Sequence, residues 1–475
     1  MIQLEKLFDF LPILVIGLSV ILSLIIDAFT KKESKLLFYF NLLMLVVSTI
    51  LFFYLMPKNY LIFGNNFKVG GLVYLIDGFI NLAALLYLFT TLKYLEKTNV
   101  KVNEFITLMM NALLGIYLMI GARDFILIFV GLEIMSITFY VLAGIKRSLL
   151  SNNEASLKYF LLGAFITGFL VYGIALIYGG TNSTHFDGIL NTLASGQNNI
   201  LFVIGLLLFL IGFTFKIGLF PFNMWIPDVY QGAPTAATSF MATLGKTAPV
   251  VILISMLSIL YNMNIENYFA NFFAIASAVS MIIGSVIGIA QKNIKRMLAY
   301  SSIAHAGYFA LGFTTPNIYA QTAVFYYLLA YIFMNLGAFI IITYFEDANE
   351  GNLSIDDYKG LAKKYPYLAG MLSFFMFAIA GIPPMAGFFG KYYLIIATVQ
   401  GGYVWLAILL AVTSVISAYY YLRIVIYMYF VSSEKNIEVE KDVYTNIGVA
   451  LVGLVVLVLG IYPQLLIDIL NKSLK

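Results

Sequence analysis

Residues 213–228 read FTFKIGLFPFNMWIPD, and residues 378–394 read AIAGIPPMAGFFGKYYL. Both are apolar segments interrupted in the middle. Pro221 follows just after Lys216, and Pro383, Pro384 and Gly387 come just before Lys391. An interior proline removes a helix hydrogen bond and clashes with the preceding turn. At membrane depth the freed backbone groups are tolerated only inside protein or against water or ions. Two interrupted apolar helices, each beside a lysine, therefore point to an ion site of the transporter kind. A kink that serves only packing is the plainer alternative, and the sequence leaves it open.

The rest of the chain is membrane material. Of 475 residues 62% are hydrophobic and 11% are charged, and mean hydropathy is +0.94. Soluble domains carry about 25% charged residues. These figures exclude a soluble fold, disorder, a nucleic-acid binder and a secreted disulfide scaffold. There is no cysteine, so no disulfide, thiolate zinc site or cysteine-ligated iron–sulfur cluster can form. A bis-histidine haem would need both His185 and His305, and His185 sits in a polar stretch, TNSTHFDG. The chain is expected to carry no redox centre of its own.

A span needs about 20 mostly apolar residues, and about 14 such stretches can be read along the chain. Among them are a third at 74–95, a fifth at 125–145, a sixth at 157–178, a seventh at 200–226 and an eighth at 235–260. A tenth lies at 298–314, a twelfth at 367–399, a thirteenth at 403–431 and a fourteenth at 444–467. The first, 8–29, lacks a small-residue cleavage pattern and reads as a retained helix. The longest polar stretches, 346–365 and 432–444, leave no room for a soluble domain. Long continuous apolar runs exclude a β-barrel. The expected class is an all-α integral membrane protein. Connections after odd-numbered spans hold about 16 Lys and Arg, against about six in the others and the termini. Examples are Lys31, Lys32 and Lys35; Lys146 and Arg147; Lys292, Lys295 and Arg296; Lys363 and Lys364. By that bias the odd connections face the cytoplasm and both termini lie on the other side.

Lys158, Lys216, Lys246, Lys391 and Arg423 fall inside spans, with Glu133 in the fifth and His305 in the tenth. A charge at the bilayer centre costs about 2.5–3.5 kcal/mol on insertion scales, and such residues suggest an ion or proton path. Lys158, near a helix start, and Arg423, near a helix end, are placed where a long side chain reaches the interface. A buried carboxylate–ammonium pair changes protonation when pulled apart, and histidine titrates near neutral pH. Ser301, Ser302, His305 and Tyr308 share one helix face by their three- and four-residue spacing, as do Glu133 and Ser136. Glu133 to His305 is 172 positions, Lys216 to Lys391 is 175 and Lys246 to Arg423 is 177. Each interval advances five helices, which makes the second copy inverted.

The runs KIGLFPFNMWIPDVYQGAPT (216–235), KRMLAYSSIAHAGY (295–308) and GIPPMAGFFGKYY (381–393) resemble the antiporter-like subunits of respiratory complex I, over nearly the whole chain. The resemblance implies 14 transmembrane helices with two inverted five-helix repeats and discontinuous helices 7 and 12. The divisions expected are 1–95 for helices 1–3, 104–260 for the first repeat, 268–431 for the second and 444–475 for a final helix. The length is short for the L branch, and Lys391 stands where the M branch usually has glutamate. The chain thus resembles most the N branch, called subunit 2 in mitochondria.

By resemblance Glu133 and Lys216 would form a coupled pair, Lys246 would be the central lysine and Lys158 would belong to the uptake side. His305 would lie on the relay, and Lys391 would be the terminal residue. Two positions depart from the family. Asn223 replaces a frequent histidine and cannot titrate, and Met385 replaces a frequent threonine. Pro227 and Asp228 match it and read as structural. The implied function is proton translocation in the cell (inner) membrane. The flavin, iron–sulfur clusters and quinone would belong to partner membrane and peripheral subunits of complex I, with lipid and protons as this chain's other partners and no nucleic acid. A multi-subunit sodium/proton antiporter, a membrane-bound hydrogenase-type complex and a passive channel or scaffold stay open. So do the electron donor and the quinone type.

Overall fold

A computed structural model describes residues 4–29, 35–194, 200–262, 266–314, 317–347, 351–432, 437 and 439–474. Lys31 and Lys32, used above for orientation, lie outside them. A short α1 (Leu4–Asp9) leads into α2 (Leu11–Phe29), α3 (Lys35–Leu55) and α4 (Gly71–Lys97). Next come α5 (Val102–Gly121), α6 (Phe125–Ala143), α7 (Leu150–Thr181) and a short α8 (Phe186–Ala194). The expected seventh span is α9 (Ile200–Ile217) plus α10 (Trp225–Gly232), and the eighth is α11 (Thr235–Thr243) plus α12 (Thr247–Asn262). Then follow α13 (Glu266–Ile289), α14 (Ile294–Ala310), α15 (Ile318–Phe345) and a one-turn α16 (Leu361–Lys364). The chain continues through α17 (Pro366–Ala380), α18 (Ala386–Gln400), α19 (Val404–Phe430), α20 (Val443–Ile461) and α21 (Pro463–Leu474).

Helices dominate because every backbone group in hydrocarbon must be satisfied within its own segment. Side chains set where several of them start. Asp124 accepts from the Ile126 and Leu127 amides, Asn293 from Arg296 and Asn317 from Ala320. Among the described residues 12 helical stretches are long and apolar enough to cross a membrane. The expected count of about 14 is not established. The 15-residue α17 and α18 are each too short to cross alone, and the 17-residue α14 is lengthened by a 3₁₀ turn, Leu311–Phe313. Two further departures are local. A hairpin, β1 (Asn59–Ile62) with β2 (Phe67–Gly70), interrupts the all-helical pattern between α3 and α4. The expected last helix, 444–467, breaks before Pro463, and α21 continues as an amphipathic helix that buries Leu466, Ile467 and Leu470.

Both interrupted helices end in the same way. Gly218 (φ 75°) and Gly381 (φ 89°) take a left-handed conformation that L side chains rarely adopt. The next residues, Leu219 and Ile382, donate back to Thr214 O and Phe377 O, closing a Schellman-like cap. The same interval separates Gly218 from Gly381 and Pro221 from Pro384. On that register Lys216 falls opposite Ile379, and Lys391 opposite Asp228. The lysine-to-lysine spacing therefore differs from the interval between the two breaks, since Lys216 precedes its break and Lys391 follows its own. A third interruption was not anticipated: a 3₁₀ turn, Leu244–Lys246, divides the eighth span at Lys246 itself, between Gly245 and Pro249.

The broken helices are enclosed. The stretch from Thr235 to Met256 is buried along its whole apolar window and α15 along 94% of its own, against 28% for α7 on the periphery. Connections sort to two ends of the bundle. At one end the segments after α3, α5 and α7 meet through bridges Phe67–Ala122 and Asp124–His185. At the other, Asn293 bridges Ser354, Tyr344 Oη donates to Glu440 O (2.8 Å), and Asn152 donates to Gly232 O (2.7 Å).

The α7–α9 pair depends on two opposed glycines. A Cβ on Gly173 would lie 2.7 Å from Gly205 O, and one on Gly205 would lie 2.6 Å from Gly173 O. Gly173→Val should therefore force the helices apart and cost about 1–3 kcal/mol. A thermal melt of the purified protein should register the loss, and an unchanged melting temperature would show that the contact is dispensable.

Candidate functional site

Three lysines and one histidine expected from sequence are enclosed, and a different group surrounds each. Lys216, in the last turn of α9, is 5% exposed. Its Nζ donates to Tyr140 Oη (3.2 Å) and lies 5.3, 5.6 and 5.7 Å from the Tyr140, Tyr159 and Phe215 ring centres. Tyr159 in turn stacks on Trp225 at 4.5 Å. Aromatic faces attract a desolvated cation, so α6, α7, α9 and α10 together build an aromatic cage.

Glu133 is two turns before Tyr140 on α6 and accepts from Thr167 Oγ1 of α7 at 3.0 Å. Among the described residues no carboxylate lies within 4.0 Å of the Lys216 ammonium. Glu133 and Lys216 are thus not in direct contact, and any coupling between them acts at a distance. Each side chain finds a nearer partner, a hydroxyl for the carboxylate and the Tyr140 phenol for the ammonium.

Lys246 sits on the 3₁₀ turn and is 1% exposed. It donates to Ser302 O (3.0 Å) and to the Ser302 hydroxyl. That hydroxyl is 3.1 Å from Tyr331 Oη, which also donates to Ala242 O. One turn further along α14, His305 is held on both ring nitrogens. Tyr327 Oη is 2.6 Å from Nδ1, and Tyr421 Oη is 3.3 Å from Nε2. Tyr421 also bonds Ser301, so the helix face read from sequence is occupied by hydroxyl partners. In neutral imidazole one of these nitrogens donates and the other accepts.

Lys391, on α18, donates to Ala380 O (2.7 Å) and Ile379 O (3.2 Å). These carbonyls close α17, where unpaired acceptors and the negative end of the helix dipole favour a cation. The ammonium also lies 5.4 Å from the Tyr308 ring. Tyr308 is edge-on to His305 at 5.3 Å and contacts Ser414.

Lys158 belongs elsewhere. Its side chain is 43% exposed and pairs with Glu154 (2.7 Å) and Asp228 (2.9 Å), while Arg296 pairs with Asp228 from the other side (2.8 Å). These groups line a polar cleft of about 370 Å³ at the end of the bundle. Burial pushes the Asp228 carboxyl up, but hydrogen bonds from Lys158 and Arg296 outweigh it and hold the group below its ordinary range. Arg423 donates to Ile289 O (3.0 Å) and Gln291 O (2.6 Å) and clamps the end of α13. Asn223 lies within the first break, 7% exposed.

Three features escaped the sequence reading. The tyrosines around the lysines and His305 are invisible among 34 tyrosines until the helices are packed. Lys295, counted as a loop charge, is fully buried and donates to Ala233 O at 2.7 Å. Asp77, inside the third span, met the same test that selected Glu133 and was passed over.

A bundle of apolar helices interrupted beside enclosed lysines is the architecture of antiporter-like membrane subunits. The chain belongs to the NADH:quinone oxidoreductase/Mrp antiporter transmembrane family, whose profile matches residues 122–417. It is 42% identical over 399 residues to NADH-quinone oxidoreductase subunit N of Trichlorobacter lovleyi, covering 83% of this chain and 81% of that one. To subunit N 1 of Chloroherpeton thalassium it is 37% identical over 473 residues, 99% of each chain. A chain of respiratory complex I from Thermus thermophilus matches the structure with TM-score 0.83 at 30% identity, over 96% of this chain and 98% of that one.

The ion cluster at the cleft makes a salt-dependent prediction. Asp228→Asn leaves Lys158 and Arg296 without their shared counter-ion and should cost about 1 kcal/mol or less, because the cluster is partly exposed. The melting difference from wild type should shrink in high salt. The Asp228 contribution is complete above the ordinary carboxylate range near 4 and is lost as pH falls through its lowered value. A difference that persists unchanged in high salt would contradict this.

Proposed function

We propose that this chain is the proton-translocating, redox-inactive membrane-arm subunit N of an NADH:quinone oxidoreductase. Quinone is reduced in partner subunits that hold the flavin and iron–sulfur clusters, and the perturbation reaches this chain along the membrane arm. The observation that carries the reading is the enclosed set Lys216, Lys246, His305 and Lys391, solvated by hydroxyls, rings and helix-end carbonyls, in a chain similar to N subunits over nearly its full length. The host membrane is the cell (inner) membrane, with both termini on its non-cytoplasmic side.

The relay starts at the cleft of Lys158, Asp228 and Arg296, where protons are taken up. Lys216 holds a proton while the Glu133 charge, acting across Tyr140, favours its ammonium form. When the perturbation draws Glu133 away, the amine releases the proton towards Lys246. Ser302 and Tyr331 then link Lys246 to the His305 face. The imidazole passes the proton on by accepting at one nitrogen and giving up the other's, with Tyr327 and Tyr421 orienting the ring. Lys391 is the terminal acceptor. Hydroxyl partners suit this work because each can both donate and accept.

The family description also names Mrp antiporters, so a subunit of a sodium/proton antiporter is the second reading. Mild purification separates the two. Co-purifying flavin and iron–sulfur absorbance is expected, and a colourless complex of small membrane subunits would favour the antiporter.

Lys216→Met should lower the proton-to-electron stoichiometry of reconstituted vesicles, and Lys246→Met and Lys391→Met should do the same. An unchanged stoichiometry would refute the relay. Tyr327→Phe keeps the ring but loses its hydrogen bond to His305. Pumping should slow roughly fivefold, the rate equivalent of a hydrogen bond of about 1 kcal/mol, as read by dye quenching in inverted vesicles.

A further inference from the structure

The helices that precede the family-matched region contain a buried acid with no place in the lysine relay. Asp77 lies on α4 and is fully buried, and neither carboxyl oxygen has a hydrogen-bond partner among the described residues. At 1.5 Å per residue it sits about 9 Å inside the start of α4. The titratable side chains that interact with it electrostatically are Tyr74 on its own helix and Tyr117 on α5. Among the described residues no cation is paired with it.

An ionised carboxylate left unpaired in such a place costs several kcal/mol even after relaxation. Binding a proton removes that charge and turns one oxygen into a donor. The surrounding groups also give the proton a direction. Tyr74, Asp77 and Asn81 stand at i, i+3 and i+7 and form one polar stripe on the otherwise apolar first half of α4. Outward, Tyr74 Oη donates to the Asp9 carbonyl, and the Asp9 carboxylate pairs with Lys58, whose side chain is 46% exposed. Inward, the stripe is closed. Asn81 accepts from Tyr117 Oη (2.7 Å) and donates to Thr49 Oγ1 (2.7 Å) and Leu45 O (2.8 Å). An amide committed on all sides does not titrate and passes no proton on.

We propose that Asp77 is a proton-binding site separate from the lysine relay, which exchanges its proton with the aqueous end of the bundle through Tyr74. The site takes one proton per chain and belongs to the end that carries Asp9 and Lys58.

Infrared difference spectroscopy on the full-length chain in its native membrane assembly tests this. Wild type should show the C=O stretch of a protonated carboxylic acid at neutral pH, shifting when the buffer is changed to deuterium oxide. Asp77→Asn, a near-isosteric neutral replacement, should lack that band, and Glu133→Gln should keep it. Tyr74→Phe should retain the band and slow its isotope shift about tenfold, the kinetic equivalent of a barrier raised by about 1.4 kcal/mol. A band that survives in D77N overturns the proposal, as does exchange at the wild-type rate in Y74F.

Discussion

An ammonium ion within an apolar bundle has to be solvated by the protein around it, and most of the architecture follows from that requirement. The carbonyls of an unbroken helix already accept one bond each within the helix, so a further donor must share one, as Lys246 does at Ser302 O of α14. A helix that ends inside the bundle frees its last carbonyls. Lys391 takes the end of α17, and Arg423 takes the end of α13. Lys216 lies in the last turn before Gly218, and Lys246 on the turn that divides α11 from α12. Each break exposes backbone that hydrocarbon would not tolerate. The segment broken at Lys246 is fully enclosed, and the continuous α15 beside it nearly so, while α7 faces outward. Interrupted helices, buried lysines and a buried centre are three aspects of one constraint.

The same constraint explains what the lysines do not have. A carboxylate in direct contact would hold each ammonium charged and fixed, since a buried ion pair is strongly destabilised when one partner is removed. Hydroxyls, aromatic faces and carbonyls solvate the charge while leaving the neutral amine accessible. Direct ion pairs of lysine and arginine are placed instead at the ends, as with Lys158, Asp228 and Arg296, or Lys58 and Asp9. There water already shares the cost and salt screens the field.

How much of this was legible in the sequence varies residue by residue. The two breaks and their lysines could be read because proline and glycine interrupt an apolar run unmistakably. Glu133 and His305 stood out against a charged content of 11%. The break at Lys246 is flanked by Gly245 and Pro249, and Pro249 cannot donate to the Gly245 carbonyl four residues back, so a local signal was present there too. The two lysines are spaced differently from the caps at Gly218 and Gly381, because one lysine precedes its break and the other follows it. Lys295 looked like a topology signal from its place in a basic connection, yet it folds under the Ala233 carbonyl. Asp77 was as legible as Glu133, a lone acid in an apolar run, and only its lack of a nearby motif set it apart.

Composition and hydropathy by themselves determined a helical membrane protein without cysteine chemistry, and the placement of proline, glycine and lysine determined where its helices break. Those properties are local. They depend on what each segment does in hydrocarbon, whatever its neighbours. Only the tertiary structure decided what each buried charge touches: Tyr140 rather than Glu133 beside Lys216, Ser302 beside Lys246, two tyrosines on His305 and, among the described residues, no hydrogen-bond partner for Asp77. A buried polar group takes whichever donor or acceptor the packing brings within about 3 Å, and helix packing is a property of the whole bundle.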